Sequence, residues 1–288
     1  MAYPTVSAPY GFKPVNLIGG QVFAGSTRNL PIQYNYGTNL YYGDIVKLVR
    51  GFVVQSTITT STGVSTWGTD APTDNIVGIF LGCSYTNPTT KQKQYSQYWP
   101  ANTLAGDAQA IIADDPDQVF KVVALASAGT LASGSFALVG QDVGINRSWA
   151  AGVGNVNTGD SYIGVTSPTS LTTTAAVPMR VLNVVPDTVV SLGTTTYTSI
   201  SSTTITCAAI PNALPVGTDL GTLAANGQYI SSGSFIAAAA SAGATSLTVN
   251  AAPSPAMVAS STLVFNQYPE LLVKFNFGTH GYYYPVTV

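Results

Sequence analysis

Ile76-Val77-Gly78-Ile79-Phe80-Leu81 is apolar on both of the sides that a β-strand presents. Successive side chains of a strand point to opposite faces, so this run leaves no face for water. It predicts a central strand, packed between layers or set in a barrel wall. Working outward, the runs 45–49, 119–124, 179–185 and 271–277 also read as strands, each bounded by Gly, Pro, Asn or Asp. In the last of these, Leu271, Val273, Phe275 and Phe277 share one face and Lys274 and Asn276 the other, so it is expected to be half-buried. Helix formers are scarce: Glu270 is the single Glu, set against 28 Gly and 17 Pro. The fold class that follows is all-β, with a barrel or sandwich core.

The strands divide the chain. Residues 1–40 carry Pro4, Pro9, Pro14 and Pro31 among aromatics and Gly19-Gly20, which predicts an extended N-terminal arm lying along its own core or along a neighbouring subunit. After Asp187 the composition turns to Ser, Thr and Ala, and no charge occurs between Asp219 and Glu270. Residues 188–266 therefore read as a small β domain inserted into a core made of 41–187 plus 267–288, with Thr245-Ser246-Leu247-Thr248-Val249 and Thr262-Leu263-Val264-Phe265 among its strands. The Ala-rich stretch 237–242 is long enough for one helical turn, confined by Gly233 and Gly243. No repeat period marks a solenoid or propeller.

Only 8% of the 288 residues are charged. A folded monomer of this size exposes about 11,600 Å², leaving roughly 500 Å² per charge against about 160 Å² in an ordinary soluble chain. Copies of such a protein repel one another weakly and are expected to self-associate. A net charge of −2 without a Lys/Arg stripe argues against nucleic acid as a partner, Lys91 and Lys93 reading as a solvated loop. No apolar run approaches the ~20 residues of a membrane span, and Met1-Ala2-Tyr3-Pro4-Thr5 does not begin a secretory leader. Cys83 and Cys207 read as buried reduced thiols.

Groups that titrate or attack are few. His280, between two glycines, is the only imidazole and reads as a turn residue; no Gly-x-Ser-x-Gly elbow occurs. Asp114-Asp115-Pro116-Asp117 offers several oxygens for a hard cation, but lacks the Gly and distal Glu of a calcium loop and reads as a turn. Gly152-Val153-Gly154-Asn155 lacks the third glycine and the helix of a nucleotide site. No catalytic, cofactor-binding or metal-binding residue is assigned, and no cofactor is expected. Tyrosine has a flat body and a polar tip, which suits either sugar stacking or protein interfaces. The candidate interface residues are Tyr3, Tyr10, Phe12, Phe23, Tyr34 and Tyr36 in the arm and Tyr282, Tyr283 and Tyr284 near the C-terminus.

Three stretches carry a resemblance: Ala8-Pro9-Tyr10-Gly11-Phe12-Lys13-Pro14-Val15-Asn16-Leu17-Ile18-Gly19-Gly20, Gly43-Asp44-Ile45-Val46-Lys47 and Phe275-Asn276-Phe277-Gly278-Thr279-His280. They resemble virion proteins of tailed bacteriophages, particularly marine ones, and among these the small structural proteins that decorate or cement the head. Residues 188–266 resemble in a general way the Ala/Thr/Gly-rich β modules inserted into phage structural proteins. The resemblance implies a capsid decoration protein on the outer surface of the virion head, assembled in the host cytoplasm, not an enzyme, with the major capsid protein and copies of itself, as a trimer, for partners. The arm would then add by β-augmentation, and deleting residues 1–30 is expected to abolish capsid binding while the body stays folded. A tail or receptor-binding protein, with a host glycan on the inserted domain, is the rival structural reading. A major capsid protein is disfavoured because no segment fits the long spine helix of that shell. From another class, a secreted carbohydrate-active enzyme would have to work through Asp114, Asp115 and His280.

Overall fold

The computed structural model describes residues 6, 8–56, 76–125, 131, 138–166, 178–185, 188, 191–214, 216, 218–223, 229–253, 257–266 and 270–276. Its strands begin with β1 (Lys13–Leu17), β2 (Arg28–Pro31), β3 (Ile45–Val49), β4 (Phe52–Gln55), β5 (Ile76–Thr86), β6 (Lys93–Ser96), β7 (Gln109–Ala113) and β8 (Gln118–Leu125). Next come β9 (Asp142–Val143), β10 (Ile145–Asn146), β11 (Gly164–Thr166) and β12 (Met179–Val184). The remainder are β13 (Ser191–Ser201), β14 (Thr204–Cys207), β15 (Asp219–Leu223), β16 (Tyr229–Phe235), β17 (Ser246–Thr248), β18 (Thr262–Asn266) and β19 (Glu270–Phe275). The protein is all-β, and no α-helix occurs among the described residues.

Strands β2-β7-β5-β3-β4 form a sheet in that order, with β6 added to β5. A bridge between Ile32, just past β2, and Val53 of β4 brings the two ends together, so the sheet curls into a nearly closed barrel. Val46, Val53, Phe80 and Ile112 pack inside it with Leu40 and Trp99. A second sheet, β10-β11-β8-β19-β12-β9 with β1 also on β8, covers part of the barrel. Here Ile45, Ile76 and Ile79 of the barrel strands meet Val122, Val181, Val273 and Phe275 of the second sheet. Ile79 thus faces one core and Phe80 the other, which is the two-sided burial expected of β5. Full burial of each such side chain stabilises the fold by about 1.5–3 kcal/mol. β5 pairs with β3, β6 and β7, and is central as expected. Gly78 makes the β5–β7 contact possible, because a Cβ there would lie 2.2 Å from the Ala113 carbonyl oxygen.

The third sheet, β16-β15-β18-β13-β14-β17, is drawn wholly from residues 191–266. It has a separate core that includes Leu192, Ile205, Leu220, Ile236, Leu247, Leu263 and Phe265. The chain leaves and re-enters at one place: the Val185 N–H donates to the Glu270 carbonyl (2.9 Å) and the Glu270 N–H to Thr188 Oγ1 (2.9 Å). The stretch 237–242 is not a helical turn. Ala237 N–H donates across to the Thr248 carbonyl, and Ala240 and Leu214 exchange both backbone bonds. Cross-strand partners on two sides supply what a single isolated turn would have to supply locally, and they win over alanine's helical preference.

The N-terminal stretch resolves to its own core. β1 pairs antiparallel with β8 in the second sheet, and β2 with β7 in the barrel. Residues 13–31 therefore contribute a strand to each of two sheets. Deleting residues 1–30 would remove β1, most of β2 and the fully buried Phe12, so the body is not expected to survive it.

Candidate functional site

Phe12 is fully buried, edge-on to Phe120 (centroids 6.4 Å), which in turn stacks edge-on with Phe275 (5.4 Å). As an interface candidate Phe12 is thus corrected to a core residue. Phe23 and Tyr36 are partly buried, packed against the second-sheet core and the barrel core respectively. Tyr34 is exposed. Tyr3, Tyr282, Tyr283 and Tyr284 lie outside the described residues, as does His280.

Tyr10 sits at the centre of a charged cluster. Its hydroxyl donates to Glu270 Oε1 (2.6 Å), while Lys121 Nζ bonds Oε2 of the same carboxylate (3.1 Å). Lys13 and Lys121 both lie over the Tyr10 ring, at 4.9 and 5.7 Å from its centroid. Burial first, and then the Glu270 carboxylate, push the Tyr10 phenol far above its ordinary pKa, so it remains a hydrogen-bond donor. Glu270 therefore joins the N-terminal segment, β8 and the return from the third sheet.

A second polar knot lies where the N-terminal segment crosses the start of β3. Gly11 and Gly43, both with positive φ, approach so closely that a Cβ on Gly43 would meet Phe12 N at 2.7 Å. Beside them Asp44 is fully buried. Its Oδ2 accepts from Tyr41 N and Gln55 Nε2 (2.9 Å each) and its Oδ1 from Ser161 Oγ (2.7 Å). Burial raises the Asp44 pKa, and the charge of Arg147 opposes that rise. Arg147 is itself lowered by burial, and its Nε and Nη2 have no hydrogen-bond partner among the described residues. Every donor to Asp44 is spent on holding a loop or strand, so the knot has a structural task. Nothing in the sequence around Gly43-Asp44 marks it, since an Asp opening a strand is ordinary in a solvated turn.

The carboxylates of the 114–117 cluster part company. Asp114 pairs with Arg28 (3.0 Å), Asp117 with Lys274 (3.0 Å), and Asp115 accepts from Asp117 N in the turn joining β7 to β8. Among the described residues no group of three or more His, Cys, Asp or Glu is placed to hold a metal ion. Cys83 and Cys207 are free and buried, and burial pushes the Cys83 thiol up to about 12.

Two kinds of surface stand out instead. Val15, Ile18 and Val22 are exposed on the hairpin that β1 begins, and Leu48, Val49 and Phe52 around the β3–β4 turn. On the third sheet, cross-strand register aligns Ser199 with Thr206 and Ser246, and Ser201 with Thr204 and Thr248. All six are exposed, so β13, β14 and β17 present two rows of hydroxyls with no charge. The alternation in Thr204-Ile205-Thr206 and Ser246-Leu247-Thr248 is the signal by which such a face is readable in sequence. No protein-family model matches this chain, and no curated protein matches it.

Proposed function

We propose that the chain is a virion structural protein that binds the outside of a phage head and cements the lattice of the major capsid protein. The observation that carries this reading is the pair of exposed apolar hairpins, Val15/Ile18/Val22 and Leu48/Val49/Phe52, on a body stitched together by its own N-terminal segment. Apolar side chains left in water on hairpins are sites where a partner surface gains by covering them, and repetition over a symmetric lattice multiplies a modest single contact. The anchor is then the hairpins, with the N-terminal segment as their support. The test adds the purified chain to heads that lack it and measures co-sedimentation. Ile18→Lys and Phe52→Lys, both at exposed positions, should each weaken binding at least tenfold with unfolding transitions close to the parent's. Undiminished binding by both would refute this mode of attachment.

The hydroxyl rows of the third sheet favour a second reading, a tail or receptor-binding component that presents this face to a neutral host glycan. Ser and Thr each donate and accept, which suits a sugar, and the face carries no charge to repel one. Locating the protein on the head or on the tail separates the two.

A further inference from the structure

We propose that the N-terminal segment, residues 8–23, exchanges between copies of this chain, so that the second sheet of one molecule is completed by β1 of another. The segment is a self-contained plug. Tyr10 docks on Glu270, Phe12 fills the space beside Phe120, and β1 pairs Lys13 with Lys121, Pro14 with Phe120, Asn16 with Val119 and Leu17 with Gln118. The hairpin closes on itself through Leu17 N–H to the Gln21 carbonyl (2.8 Å) and the Asn16–Val22 bridge, so it can move as a unit. Ala24, Gly25, Ser26 and Thr27 follow, all exposed, with Gly25 in open space at a φ of +77°. Beyond them β2 belongs to a different sheet, the barrel. The plug and the barrel are thus joined by a short exposed hinge.

Exchange keeps every one of the plug's contacts, since a second copy offers the same groove; the balance is set by the hinge and by concentration. The sheet edge that pairs with β1 is built from residues 118–121, next to 270–275, more than a hundred positions later in the chain, and the seat is completed at Gly43, whose carbonyl accepts from the Phe12 N–H (3.1 Å). Closing that long loop is slow, and during it an open groove accepts the plug of any nearby copy. With 8% charged residues, copies meet with little repulsion. Four hinge residues span at most about 14 Å, so exchanging partners lie side by side.

The experiment uses the unmodified chain. Light and isotopically heavy protein are unfolded, mixed, refolded at several concentrations and treated with a short amine-reactive cross-linker, which reaches the partly exposed Lys13 and Lys121. Exchange predicts Lys13–Lys121 pairs that are half light and half heavy, with a share that rises with concentration. Only same-isotope pairs at every concentration would overturn the proposal. As a second readout, Lys13→Cys and Lys121→Cys single variants are refolded together and oxidised. A disulfide requires Cα atoms within about 7 Å, so a linked heterodimer reports strand pairing between copies. Two unlinked chains that both fold, as shown by parental unfolding transitions, would count against it.

Discussion

Asp44 shows how a single residue carries several elements. Three donors from two loops and a strand converge on its carboxylate, and the charge of Asp44 is what most opposes the effect of burial on Arg147. Asp44→Ala would leave those donors unsatisfied and a buried guanidinium uncompensated, and is expected to cost about 3–5 kcal/mol in urea unfolding at neutral pH. Asp107 behaves oppositely with pH. The N–H and hydroxyl of Thr86, and then Lys93, hold its carboxylate well below the ordinary range. A depressed acid stabilises the fold above the unfolded pKa of about 3.9 and loses that contribution as pH falls through the folded value. The parent's advantage over Asp107→Asn should therefore be present at neutral pH and shrink in acid; an advantage that is flat with pH would contradict the assignment. Neither role was legible in sequence. Asp44 and Asp107 each follow a glycine, and only their long-range partners tell them apart.

At the scale of elements, the strand register was legible where the pattern was clean. Residues 271–275 alternate in sequence, and in the fold Leu271, Val273 and Phe275 are buried while Leu272 and Lys274 are half-exposed. The two-sided apolar run of β5 likewise landed between two cores. The N-terminal segment was harder, because prolines and glycines hide a five-residue strand whose partner lies a hundred residues away. Its aromatics read equally as anchors for a neighbour or for the core. Phe12→Ala should cost about 3–5 kcal/mol, a core-scale loss, whereas Tyr34→Ala at an exposed site should fall within about 0.5 kcal/mol of the parent. Chemical denaturation of the two variants checks the contrast. Gly78→Ala is expected to destabilise by at least about 1–3 kcal/mol, since the opposing Ala113 carbonyl is backbone and cannot swing aside.

For the whole molecule, scarcity of charge is distributed unevenly, and the distribution fits the three sheets. The ion pairs Lys13–Asp160, Arg28–Asp114, Lys121–Glu270, Arg180–Asp142 and Lys274–Asp117 all tie together parts of the barrel and second sheet. The third sheet has an uncharged span between Asp219 and Glu270 and shows Ser and Thr outward instead. The stretches that carry the phage resemblance meet inside the body, through Phe12, Gly11 against Gly43, and Phe275, so they specify the fold more directly than any contact surface. A head decoration protein built this way would turn its apolar hairpins to the shell and its hydroxyl sheet outward. Electron cryomicroscopy of an intact particle that carries the chain tests this most directly. Density for the barrel and second sheet is expected across joints between capsid subunits on the outside of the head, with residues 191–266 farthest from the shell. Density confined to the tail, or an outer position for the Val15–Val22 hairpin, would contradict it.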